Sequence, residues 1–90
     1  MTGQNIRPFI TALDRIYIAD ANGNTLAEIT FQPVQKGVYN ITHTYVDKAL
    51  RGQGIATELV KAAVDEIHFR RGTVTATCTY ASDWLLRHRI

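Results

Sequence analysis

The stretch Arg51-Gly52-Gln53-Gly54-Ile55-Ala56 sits where an extended apolar segment ends and a helical pattern begins. Its two glycines let the backbone turn tightly and approach a ligand with no Cβ in the way. The helix that follows directs its unpaired first N–H groups, and the positive end of its dipole, back at the turn. Arg51 adds a permanent cation with planar donors. Such a turn is an anion site, and a pyrophosphate is the guest it suits. The plainer alternative is a turn whose glycines serve only to reverse the chain.

Downstream of the turn, residues 54–71 carry the clearest helical pattern. Ile55, Leu59, Ala63 and Ile67 recur with Ala56, Val60 and Val64 beside them, while Glu58, Lys61, Asp65 and His68 fall largely outside that stripe. His68, Arg70 and Arg71 suit the negative end of the dipole, and Gly72 suits the C′ position. Residues 73–79 alternate threonine with Val74, Ala76 and Cys78, which predicts a strand. Ser82 or Asp83 then caps a short helix through Trp84, Leu85 and Leu86 to His88.

Upstream, Val38–Val46 reads as a strand with Tyr39, Ile41, His43 and Tyr45 on one face. A turn over residues 33–37 separates it from a strand at 26–31, where Ala27, Ile29 and Phe31 face away from Leu26, Glu28 and Thr30. Asn22-Gly23 marks another turn, preceded by the β-branched strand Arg15–Ala19. Arg7-Pro8-Phe9 reads as irregular or edge structure, because Pro8 has no amide donor. The order is βββαβα, an α+β domain spanning residues 1–90. An antiparallel meander leads through a helical crossover to a last strand parallel to the third, and a short helix closes the chain. The ends of those two parallel strands flank the glycine turn, where ligands enter mixed sheets.

Ninety residues leave room for one core, with about 60–65% of the unfolded surface buried. A 46% hydrophobic and 20% charged composition describes an ordinary globular domain. A net charge of +2, from ten basic and eight acidic residues, argues for neither nucleic acid nor a membrane surface as partner. One cysteine cannot form an internal disulfide, and no apolar run suggests a signal peptide or membrane span. A cytoplasmic location is expected. The three histidines and Cys78 share no metal-ligand spacing, so no metal is expected.

Two familiar phosphate motifs fail. A dinucleotide fingerprint needs a third glycine where Thr57 stands, and an acid about twenty residues on, where residues 74–77 offer none. A P-loop needs G-K-[ST], which is absent. The pattern R-x-x-G-x-A of Arg51, Gly54 and Ala56 instead resembles the acetyl-CoA pyrophosphate loop of the GNAT superfamily of N-acetyltransferases. More narrowly, His43-Thr44-Tyr45-Val46 followed by residues 49–56 is similar to the short YjdJ-type branch, which reads H-T-E-V-P, L-R-G-Q-G-I-A, then P-x-C-x-F ahead of Y-x-x-x-H-P. Cys78, Tyr80 and His88 fall at the spacing of that pattern, and the resemblance runs from about Asp14 to His88.

The resemblance implies a minimal GNAT-like fold whose third and last strands splay around the pantetheine arm of acetyl-CoA. Backbone near Val46 would pair with the arm; Arg51, Gly52, Gln53, Gly54, Ile55 and Ala56 would hold the pyrophosphate. Cys78 and His43 would come near the thioester. There Cys78 could relay the acetyl group, or His43 could act as general base for an incoming amine. The acceptor is an unidentified amine, and the protein a monomer or homodimer. Tyr45 stands where the branch has glutamate, Asp47 and Ala76 where it has proline, Trp84 where it has tyrosine, and Arg89 where it has proline. A CoA-binding module that has lost catalysis is therefore the alternative function. Read without the resemblance, Cys78 is a small buried apolar residue and His43 a satisfied core histidine. His68 is then a helix-end cation, His88 a packing or capping residue, and Trp84 core. Arg70 and Arg71, with Arg87 and Arg89, form a solvated basic face.

Overall fold

The computed structural model describes residues 9–88. One mixed sheet has the order β1-β2-β3-β4-β5, formed by Ile10–Thr11, Arg15–Ala19, Thr25–Gln35, Val38–Val46 and Thr73–Ala76. The first four strands pair antiparallel, and β5 runs parallel to β4 from Val38↔Thr73 to Ile41↔Ala76. Helices α1 (Ile55–Phe69) and α2 (Thr79–His88) follow β4 and β5. This is the α+β meander with helical crossover that the sequence predicts. Of the proposed edge segment only Phe9 is described; Arg7, Pro8 and Arg89 lie outside the described residues.

The core forms where the helical period of α1 meets the two-residue period of the strands. Ile55, Leu59, Val60, Ala63, Val64 and Ile67 are buried against Ile16, Ile18, Ala27, Ile29, Phe31 and Ile41. Each of the larger side chains contributes about 1.5–3 kcal/mol by leaving water. Ala81 and Trp84 bring α2 into the same cluster.

Several boundaries differ from the sequence reading. Strand β3 runs through Pro33 to Gln35, and the turn contracts to Lys36-Gly37, with Gly37 at φ 74°. Pro33 is tolerated because β2 pairs no further along β3 than Thr30, so a missing amide there breaks no ladder on that side. Strand β5 stops at Ala76, and α2 begins at Thr79, ahead of Ser82 and Asp83. The carbonyl of Cys78 accepts from the Ser82 amide at 2.9 Å, so Cys78 itself heads the helix.

The C-terminus of α1 is also built differently. Arg71, at φ 63°, is the left-handed residue, with Arg71 N donating to His68 O and Gly72 N to Ile67 O at 2.9 and 2.8 Å. That is the paired bonding of a Schellman motif with arginine at C′. Gly72 is needed for space: a Cβ there would lie 2.7 Å from the Tyr39 ring. Nor is Arg70 part of a solvated face. It ion-pairs with Glu66 at 2.8 Å, donates to Leu13 O and Ala12 O at 2.8 and 3.2 Å, and lies over the Phe31 and Tyr39 rings.

Candidate functional site

The β3–β4 pairing shifts register between Thr30↔His43 and Phe31↔Ile41, leaving Thr42 as an extra residue in β4. A bulge of this kind reverses which face the following residues present. Tyr39 and Ile41 lie over the core, as do Thr44 and Val46, opposite Ile29 and Ala27. His43 and Tyr45 pair with Thr30 and Glu28 on the other face and are exposed. The expected single face of Tyr39, Ile41, His43 and Tyr45 is thus divided at Thr42. His43 is not a core histidine.

Beyond Ile41, β4 pairs with no strand on its β5 side among the described residues. The amides of Thr77 and Cys78 both donate to Ile41 O, at 3.0 and 3.1 Å, and the chain then turns into α2. The bulge brings Thr44 under this turn, where its hydroxyl lies 3.4 Å from Cys78 Sγ. Burial pushes the Cys78 thiol up. The Thr44 hydroxyl and the amides of Ala81, Tyr80 and Thr44 outweigh that effect and hold the thiol below its ordinary value. Cys78 is therefore a partly buried thiol at a helix N-terminus that favours its anion, and no hydrogen bond joins it to His43 among the described residues.

The end of β4 leads into the glycine turn through a short 3₁₀ segment, Lys48–Leu50. Asp47 caps it, accepting from Ala49 N at 2.9 Å, and accepts from the Tyr45 hydroxyl at 3.3 Å. Tyr45 and Asp47, which both depart from the pattern that the sequence resembles, are thus bonded to each other. Arg51 Nε donates to Val46 O at 3.1 Å, so that carbonyl is already engaged. Gly52 and Gly54 take φ of 84° and 76°, a region that favours glycine, and Gly54 supplies no side chain to cap α1. The first amides of α1 therefore face a cleft of about 240 Å³. Val46, Arg51, Gly52, Gly54, Ile55 and Ala56 line it, but Gln53 does not.

Sequence reasoning missed three further lining residues, of which Leu50 is an apolar wall and the other two are polar. Thr57, in the first turn of α1, and Tyr80, in the first turn of α2, have hydroxyls 2.7 Å apart across the cleft. Their meeting depends on how the two helices pack, which no local pattern encodes. A groove of about 520 Å³ between α1, α2 and β5 contains none of the predicted site residues.

His88 and Trp84 serve packing. Trp84 is buried, and the His88 ring stacks on it at 4.0 Å and 13°, with Nδ1 2.9 Å from Trp84 O. Among the described residues no cluster of three His, Cys, Asp or Glu side chains suits a metal, and no helix is long and apolar enough to cross a membrane.

The family model of GCN5-related N-acetyl-transferases matches residues 15–90. The chain belongs to that family. Among solved structures, this GCN5-related chain is similar to a GCN5-like protein of Staphylococcus aureus, at 33% identity and TM-score 0.75 over 91% of this chain and 80% of that one. It also resembles the GNAT family N-acetyltransferase YhbS of Escherichia coli, solved in complex with CoA, at 23% identity and TM-score 0.58. A third likeness is the ribosomal-protein-alanine N-acetyltransferase of Brucella melitensis, at 25% identity and TM-score 0.54. The match covers 69% and 71% of this chain but only 38% and 48% of those two longer proteins. No curated protein matches the chain significantly.

Proposed function

We propose that this GCN5-related chain binds acetyl-CoA and passes the acetyl group to an amine of a protein or small molecule, with Cys78 acylated on the way. The observation that carries this reading is the pair of positive-φ glycines, Gly52 and Gly54, opening α1 beside the end of β4. Amides from Gln53 to Ala56, with the Arg51 guanidinium that Val46 O holds at the cleft, suit a pyrophosphate, and the edge of β4 between Ile41 and Val46 suits the amide-bearing arm.

In the proposed first step the Cys78 thiolate attacks the acetyl carbonyl. A bond to Cys78 sulphur forms, the bond to CoA sulphur breaks, and CoA leaves as a thiolate that takes up a proton. In the second step a deprotonated amine attacks the acetyl carbon, and Cys78 leaves as thiolate. His43 projects from the face of the sheet opposite Thr44 and Cys78, so it is not the partner of Cys78, and the proton of the attacking amine passes to solvent in this step. His43 could serve the same amine in direct transfer from acetyl-CoA. We take the cytoplasm as the location, with neither nucleic acid nor lipid as partner.

A second reading, a CoA-binding module without turnover, is favoured by Trp84. It lies in the core and has no acidic hydroxyl to protonate a leaving thiolate. Intact mass after incubation with acetyl-CoA separates the two. A gain of one acetyl group, lost in Cys78→Ser, supports the relay. Thermal stabilisation by CoA with neither adduct nor turnover supports the module.

A further inference from the structure

The first turn of α2 carries two features at once. Cys78 heads this helix through the bond from Ser82 N to its carbonyl, so the amides of Tyr80 and Ala81 lie in the turn that follows it and help hold its thiol low, and the Tyr80 side chain lines the cleft at the glycine turn. There the phenol meets Thr57 of α1 at 2.7 Å. On β4 the hydroxyl of Thr44 lies 3.4 Å from the sulphur, and Thr44 also contributes to holding the thiol low.

We infer that the Thr57–Tyr80 hydrogen bond is a positioning device, fixing the first turn of α2 against the first turn of α1 so that its amides keep their place beside Cys78. This deepens the proposed acyl relay and rests on it. An amide–sulphur bond weakens steeply as the donor tilts away. A small rotation of a ten-residue helix about its own start would therefore reduce the support given to the thiolate. Tyr80 acts through the helix and touches no reacting atom. A pyrophosphate held by the α1 amides would lie beside Thr57, so the same bond ties the cofactor cleft to the nucleophile.

The test is the pH profile of Cys78 alkylation by iodoacetamide in the intact protein. The midpoint reports ionisation, and the high-pH plateau reports access. Tyr80→Phe and Thr57→Val should each raise the midpoint, slowing alkylation near neutral pH by about threefold with the plateau retained. Thr57→Ser, which keeps the hydroxyl, should restore the wild-type midpoint. A merely loosened helix would raise the plateau instead. Unchanged midpoints, or a shift in Tyr80→Phe that Thr57→Val does not share, would overturn the inference. Titration of CoA into the wild type runs in parallel: absence of binding would remove the proposed function, while the midpoints still decide the positioning role.

Discussion

The sulphur of Cys78 lies 3.4 Å from the hydroxyl of Thr44, and the two meet because β4 bulges at Thr42. Thr44→Val removes the hydroxyl at nearly constant volume. The thiolate then loses its side-chain donor while burial persists, so the alkylation midpoint of Cys78 should rise. The sign extends to stability. The native thiol ionises at lower pH than the unfolded one, so its ionisation favours the native state. That increment is fully present above the unfolded pKa and is lost as pH falls through the native pKa. Denaturant midpoints of wild type and Thr44→Val should therefore diverge as pH rises through the thiol range.

Arg70 ties the β1–β2 turn to the end of α1 through Leu13 O, Ala12 O and Glu66. Arg70→Met keeps much of the stem and removes every donor. Unfolding in urea should show a loss of about 2 kcal/mol with CoA affinity unaltered, since the clamp lies outside the cleft.

The end of α1 makes a paired prediction of opposite signs. Arg71→Gly relieves a left-handed arginine and should stabilise by about 1 kcal/mol. Gly72→Ala should destabilise, because its methyl would press on the Tyr39 ring and on Ile67 Cγ2 at 3.0 Å. Thermal unfolding of the two variants checks both. Had Gly72 been the left-handed residue, Arg71→Gly would bring no gain.

The parts of the fold carried by periodicity were legible in the sequence. Strand β4 begins and ends where its β-branched run does, and the buried face of α1 follows its stripe from Ile55 to Ile67. What escaped was set by pairing and packing. The bulge at Thr42 leaves no mark in an alternating strand, yet it decides that Thr44, not His43, meets Cys78. Alternating threonines made residues 77–79 look extended, whereas the chain turns there because Cys78 heads α2. Of the predicted cofactor residues, Gln53 alone stays off the cleft, while Thr57 and Tyr80 reach it through helix packing. The glycine turn was readable because its conformation requires glycine; the acyl side was not, because contact across the sheet decides it.

In the proposed function the turn from Arg51 to Ala56 holds the pyrophosphate of CoA. Gly54 is left-handed, and a Cβ there would meet nothing within 4 Å, so Gly54→Asp should cost only about 1–2 kcal/mol of backbone strain. It would set a carboxylate where the proposed site would hold the phosphates. Calorimetric titration of CoA into wild type and Gly54→Asp, both shown to be folded, is the direct measurement. Saturable one-site binding to the wild type and none to the variant is the expected result. Equal affinity in both, or no binding to the wild type, would contradict it.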